Sequence, residues 1–79
     1  MPTVLFLNGF RFFFYSNENN EPPHIHVRKG SAEGKIWLEP VAEIAWQFGF
    51  NKQEENAMWQ IVTEHQQLFK DKWYEYFSK

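Results

Sequence analysis

The chain has 79 residues, 20% of them aromatic, no cysteine and a formal charge of −2. That length supports one domain, near the lower limit for a chain that folds without staples. Disulfides and thiolate metal sites are excluded, and the slightly acidic balance argues against a general nucleic-acid binder.

Nine Phe, four Trp and three Tyr supply the area for a core, since each aromatic buries roughly 150–250 Å². No apolar run approaches the roughly 20 residues of a membrane span. Met-Pro-Thr-Val at the N-terminus lacks the basic segment of a signal peptide. A cytoplasmic protein with no membrane partner is expected.

In chain order, residues 3–15 predict a hairpin. Two β-branched and aromatic runs flank Asn8-Gly9, and both turn residues tolerate the positive φ of a type I′ turn. The implied register pairs Leu7 with Phe10, Leu5 with Phe12 and Thr3 with Phe14. Leu5, Leu7, Phe10, Phe12 and Phe14 then share one face; Val4, Phe6, Arg11, Phe13 and Tyr15 share the other. Both faces are apolar, so the second one needs a cover: a helix, a second copy or a ligand.

Ser16 to Pro23 reads as a polar loop. His24-Ile25-His26-Val27-Arg28 then alternates as a strand with both histidines on one face. Gly30-Ser31 suits a type II′ turn, which sets Lys29 opposite Ala32, Val27 opposite Gly34 and Ile25 opposite Ile36. On the other face Arg28 meets Glu33, His26 meets Lys35 and His24 meets Trp37. The Arg28–Glu33 match is a favourable cross-strand pair.

Residues 39–50 fit two templates. Ala42, Ile44, Trp46 and Phe48 alternate as in a strand, whereas Val41, Ile44, Ala45 and Phe48 have helical spacing behind Pro40. Length and the β-rich context favour a fifth strand. Asn51 with Glu54 forms a capping-box pattern. The inward stripe that follows is Met58, Ile61, Val62, His65, Leu68, Phe69, Lys72, Trp73 and Tyr76, as one helix or as two broken near His65. The expected fold is α+β: four or five antiparallel strands in two hairpins, then a long C-terminal helix or two.

Tyr15 to Glu18, Glu21-Pro22-Pro23-His24-Ile25-His26-Val27-Arg28, and the helical His65 and Trp73 together resemble a family of small bacterial proteins. That family is catalogued as a domain of unknown function with a Pro-Pro-His-x-His signature. The resemblance covers nearly the whole chain. It implies a four- or five-stranded sheet with C-terminal helices, and a gene neighbour encoding a second small protein. Such neighbours are sometimes joined to helix-turn-helix domains, which implies a toxin–antitoxin pair with a small antitoxin-like partner. It carries over no established reaction.

His24 and His26 leave one face of a strand roughly 6–7 Å apart at Cα. Imidazole titrates near neutrality, at about pH 6.5, so the pair suits acid–base chemistry. With Arg28 and Lys35 for a phosphate, Arg11 as a further substrate-binding cation, and Tyr15 and Trp37 to hold a base, the set suits a metal-independent ribonuclease acting on RNA. No cofactor is then required. Three other readings stand beside it. The histidines are the polar face of an edge strand, or they chelate a metal with His65 as third ligand and Glu21, Glu18 or Asp71 behind it. Alternatively the chain is a non-catalytic interaction or homodimer module whose exposed Phe6, Phe13, Tyr15 and Trp37 dock a partner. The metal set requires the helix carrying His65 to lie over the His24/His26 face, or a dimer to bring it round. Trp73, Tyr76 and Phe77 read as core or as a dimer contact.

Overall fold

In the computed structural model, residues 3–16 and 20–77 are described. Five strands, β1 (Thr3–Leu7), β2 (Phe10–Phe13), β3 (His24–Lys29), β4 (Ala32–Trp37) and β5 (Glu43–Phe48), form an antiparallel sheet in sequence order. Two helices follow, α1 (Lys52–Glu64) and α2 (Gln66–Phe77). The fold is α+β, and residues 43–48 form a strand as the β-rich context predicts.

The turn chemistry sets the meander. Asn8 and Gly9 take φ of 54° and 84°, the positive pair of a type I′ turn, and Gly30 takes 59° at the head of the second hairpin. All six β3–β4 pairs expected above are present, from His24↔Trp37 to Lys29↔Ala32. The β1–β2 register holds for Leu5 and Leu7, but Thr3 pairs with Phe13 rather than Phe14. One extra β1 residue, Val4, bulges between Thr3 and Leu5, and a bulge shifts register by one.

A second bulge matters more. Ile36 pairs with Ile44, yet Lys35 pairs with Trp46, which leaves Ala45 as the extra residue. Ile44 therefore faces the core, while Trp46 and Phe48 turn to the opposite face, 45% and 75% exposed. Simple alternation places all three on one side.

Both helices pack over the Ile25/Val27 face. Phe10, Phe12, Phe14, Ile25, Val27 and Ile36 meet Met58, Ile61, Val62, Phe69 and Trp73 in one buried cluster. Phe12 lies 5.1 Å from Phe69, and Phe14 lies 5.5 Å from Trp73, ring centre to ring centre. Of the expected inward stripe, Lys72 and Tyr76 are exposed instead. α1 starts on a complete capping box: Asn51 Oδ1 accepts from Glu54 N–H (2.8 Å), and Glu54 Oε1 accepts from Asn51 N–H (3.1 Å). It ends at His65, whose φ of −123° leaves the helical region, so there are two helices. Among the described residues no helix is long and apolar enough to cross a membrane.

Candidate functional site

The face without helices is ordered by cross-strand rows. Direct antiparallel partners point to the same side of a sheet, so Phe6, Arg11, Arg28, Glu33 and Phe48 form one row across all five strands. Beside it runs Thr3, Phe13, His26, Lys35 and Trp46, and then His24, Trp37 and Glu43. The sequence-predicted residues His24, His26, Arg28, Lys35, Arg11, Tyr15 and Trp37 are thus assembled on or beside one surface.

The histidines are packed, not open. His24 is fully buried and His26 is 4% exposed. His24 contacts His26 (5.2 Å between ring centres), Trp37 (5.5 Å) and, reaching past the sheet from α2, Trp73 (4.8 Å). Its Nδ1 lies 2.9 Å from the Pro22 carbonyl oxygen, an acceptor that places the proton on Nδ1. Its Nε2 is 3.8 Å from Glu21 Oε1. His26 stacks on Phe13 at 5.7 Å and meets the edge of Tyr15 at 4.5 Å. Two prolines bring the chain in at this point, and Leu38 N–H bonds to the Pro23 carbonyl at 2.9 Å, which pins the entry to the end of β4.

The cations are paired. Arg28 donates to Glu33 Oε1 at 2.7 Å, and this bond and charge raise its already high pKa. Tyr15 Oη donates to Glu33 Oε2 at 2.9 Å. Burial pushes the Glu33 carboxyl up, but the bonds from Arg28 and Tyr15 outweigh it and hold its pKa below the usual value. Lys35 donates to Glu21 Oε1 at 2.8 Å and lies 4.4 Å from the Trp37 ring; its hydrogen bond is the main cause of a lowered Glu21 pKa. Arg11 sits 4.6 Å above the Phe13 ring and donates to Thr3 Oγ1 at 2.8 Å.

Several expectations are corrected by this arrangement. Phe13, expected as part of an exposed aromatic face, is fully buried beneath Arg11, beside Tyr15 and His26. His65 lies in the helix layer, its Nδ1 2.8 Å from the Ile61 carbonyl oxygen and its ring 6.2 Å from Phe69. The helices cover the Ile25/Val27 face, so His65 is across the sheet from His26 and the three-histidine set does not assemble within one chain. Asp71 accepts from Gln67 on exposed α2 surface, and Glu18 lies outside the described residues. Among the described residues no group of three His, Asp or Glu side chains stands in metal-holding geometry.

Sequence reasoning missed one contact and two participants. Glu33 joins Tyr15 as well as its cross-strand partner Arg28, a contact between residues 18 positions apart that no local pattern reveals. Trp46 and Phe48 reach this surface only because of the bulge at Ala45.

The fold and site define a class: a five-stranded antiparallel meander with two helices on one face, and on the other an aromatic and ion-paired surface built around two packed histidines. Residues 9–74 match the family described as a domain of unknown function, DUF4160, and the chain belongs to that family. Comparison with curated proteins and with solved structures gave no match.

Proposed function

We propose that this protein is a non-catalytic interaction module that binds another protein chain through its uncovered sheet face. In the cell it serves as the toxin component of a two-protein toxin–antitoxin module acting in the cytoplasm. One observation carries the reading. The Phe6–Arg11–Arg28–Glu33–Phe48 row spans the sheet with both terminal aromatics in solvent, Phe6 at 66% and Phe48 at 75% exposure. Large exposed aromatics beside arginine are what protein interfaces are enriched in.

Charge decides between a protein and a polyanion. Arg11, Arg28 and Lys35 stand against Glu21, Glu33 and Glu43 on or beside this face, three charges of each sign. A nucleic-acid surface carries an excess of cations. A balanced mixture of charges with aromatics fits a protein partner.

The second reading is the metal-independent ribonuclease. It is favoured by two imidazoles 5.2 Å apart with Arg28 and Lys35 in the flanking positions. It ranks lower because both rings are packed and both cations are already bonded to carboxylates.

Expression in bacteria tests the pair. Wild type is expected to slow growth with total RNA intact, and Trp46→Ser/Phe48→Ser, which alters only exposed side chains, is expected to relieve the effect. RNA degradation that survives Trp46→Ser/Phe48→Ser and is lost in His26→Gln would instead establish the ribonuclease. Wild type with no effect on growth removes the toxin role.

A further inference from the structure

We propose that the chain docked on the uncovered sheet face is a second copy of the same chain, related by a two-fold axis running along β3 in the plane of the contact. This inference rests on the interaction-module reading and names its partner. Rotation about that axis stacks the two sheets face to face and reverses the strand order, so β1 lies over β5 of the other copy.

The central row is complementary to itself under this operation. In order it reads aromatic, positive, positive, negative, aromatic: Phe6, Arg11, Arg28, Glu33, Phe48. Reversed against itself, Phe6 of one copy meets Phe48 of the other, and Arg11 of one copy meets Glu33 of the other. Each of these contacts occurs twice, as an isologous interface requires. Arg28 faces its own counterpart at the axis. Each Arg28 already holds Glu33 at 2.7 Å, so the centre alternates Arg, Glu, Arg, Glu across the copies. The Glu33 side chain is still 23% accessible, which leaves room for a further donor, and a carboxylate accepts about four hydrogen bonds.

Size sets the strength. Five strands about 4.8 Å apart and four to six residues long, at about 3.3 Å per residue, present a footprint of roughly 400 Å² per copy. Side-chain relief raises the total buried by two copies to on the order of 1,000 Å², the lower end of specific interfaces. A concentration-dependent dimer that weakens with added salt follows, because its charge pairs sit in a partly solvated plane.

The test is sedimentation velocity on the whole chain between about 1 and about 500 µM. Wild type is expected to pass from monomer to dimer. Arg11→Glu alone and Glu33→Arg alone each set two like-charge contacts against each other and are expected to weaken association by about tenfold or more. Mixing the two variants restores both opposite-charge contacts, and the heterodimer is expected to regain wild-type association. Phe6→Lys and Phe48→Glu form a second pair on exposed positions, where folding is not at risk. Each alone weakens association, and the mixture recovers it.

Single variants as tightly dimeric as wild type, or mixtures that stay monomeric in both pairs, overturn this arrangement. So does a wild type that is monomeric throughout the range. If that monomer still slows growth through Trp46 and Phe48, the partner is a different protein and the module reading survives. If it has no such effect, both fall.

Discussion

Replacing His24 by alanine separates a structural role from a chemical one. The imidazole is fully buried and touches three rings, those of Trp73, His26 and Trp37, at 4.8–5.5 Å. It also ties the strand entry to the Pro22 carbonyl at 2.9 Å. Truncation leaves a cavity between β3 and α2 that the surrounding aromatics fill only in part. Large-to-small changes at such sites cost about 2–4 kcal/mol, somewhat less than for phenyl or indole because imidazole is the smaller ring. A domain of this length has a total stability of roughly 4–12 kcal/mol, so the variant loses a large share of it. At about 4–8 °C per kcal/mol the melting temperature falls by roughly 10–30 °C. Urea unfolding followed by tryptophan fluorescence measures this directly, since Trp37 and Trp73 flank the lost ring. His24→Ala within about 0.5 kcal/mol of wild type, the range of an ordinary surface change, would refute the packing argument. The same number bears on any assay of the histidines. A loss of activity in His24→Ala/His26→Ala without a matched stability measurement reports unfolding as readily as lost chemistry.

Two further predictions follow from local structure. Asn51→Ala removes one half of the α1 capping box and strands the Glu54 N–H, costing about 1 kcal/mol; thermal melts by circular dichroism should show a drop of roughly 4–8 °C. Glu33 has a folded pKa held below its ordinary 4.5 by Arg28 and Tyr15. Its contribution is therefore fully present above that value and is lost as pH falls through the lower, folded one. Wild type should exceed Glu33→Gln in urea at neutral pH, and the gap should narrow progressively as pH falls below 4.5; a gap that widens in acid would show the sign to be wrong.

The local rules written into this chain were enough for most of its secondary structure and pairing. Asn8-Gly9 and Gly30-Ser31 dictate tight turns through the φ values they tolerate, and once a two-residue turn is set the pairs on either side of it follow by counting. Asn51 and Glu54 cap α1 for the same short-range reason. Alternation in residues 24–28 fixed which side chains share the histidine face. What counting could not supply were the two bulges, at Val4 and Ala45, because an unpaired residue leaves no mark on a pattern of period two. The bulge at Ala45 exchanged the faces of half a strand and carried Trp46 and Phe48 out to the surface.

Burial of the histidines was likewise decided in three dimensions. Nothing near His24 in sequence announces that Trp73, 49 positions later, will close over it, nor that Tyr15 will bond Glu33 and lean on His26. Those contacts exist because the helix layer and the β2–β3 connection converge at one corner of the sheet. Residue type singled out the histidines, the cations and most of the aromatics as candidates; whether solvent can reach them depended on how distant segments pack.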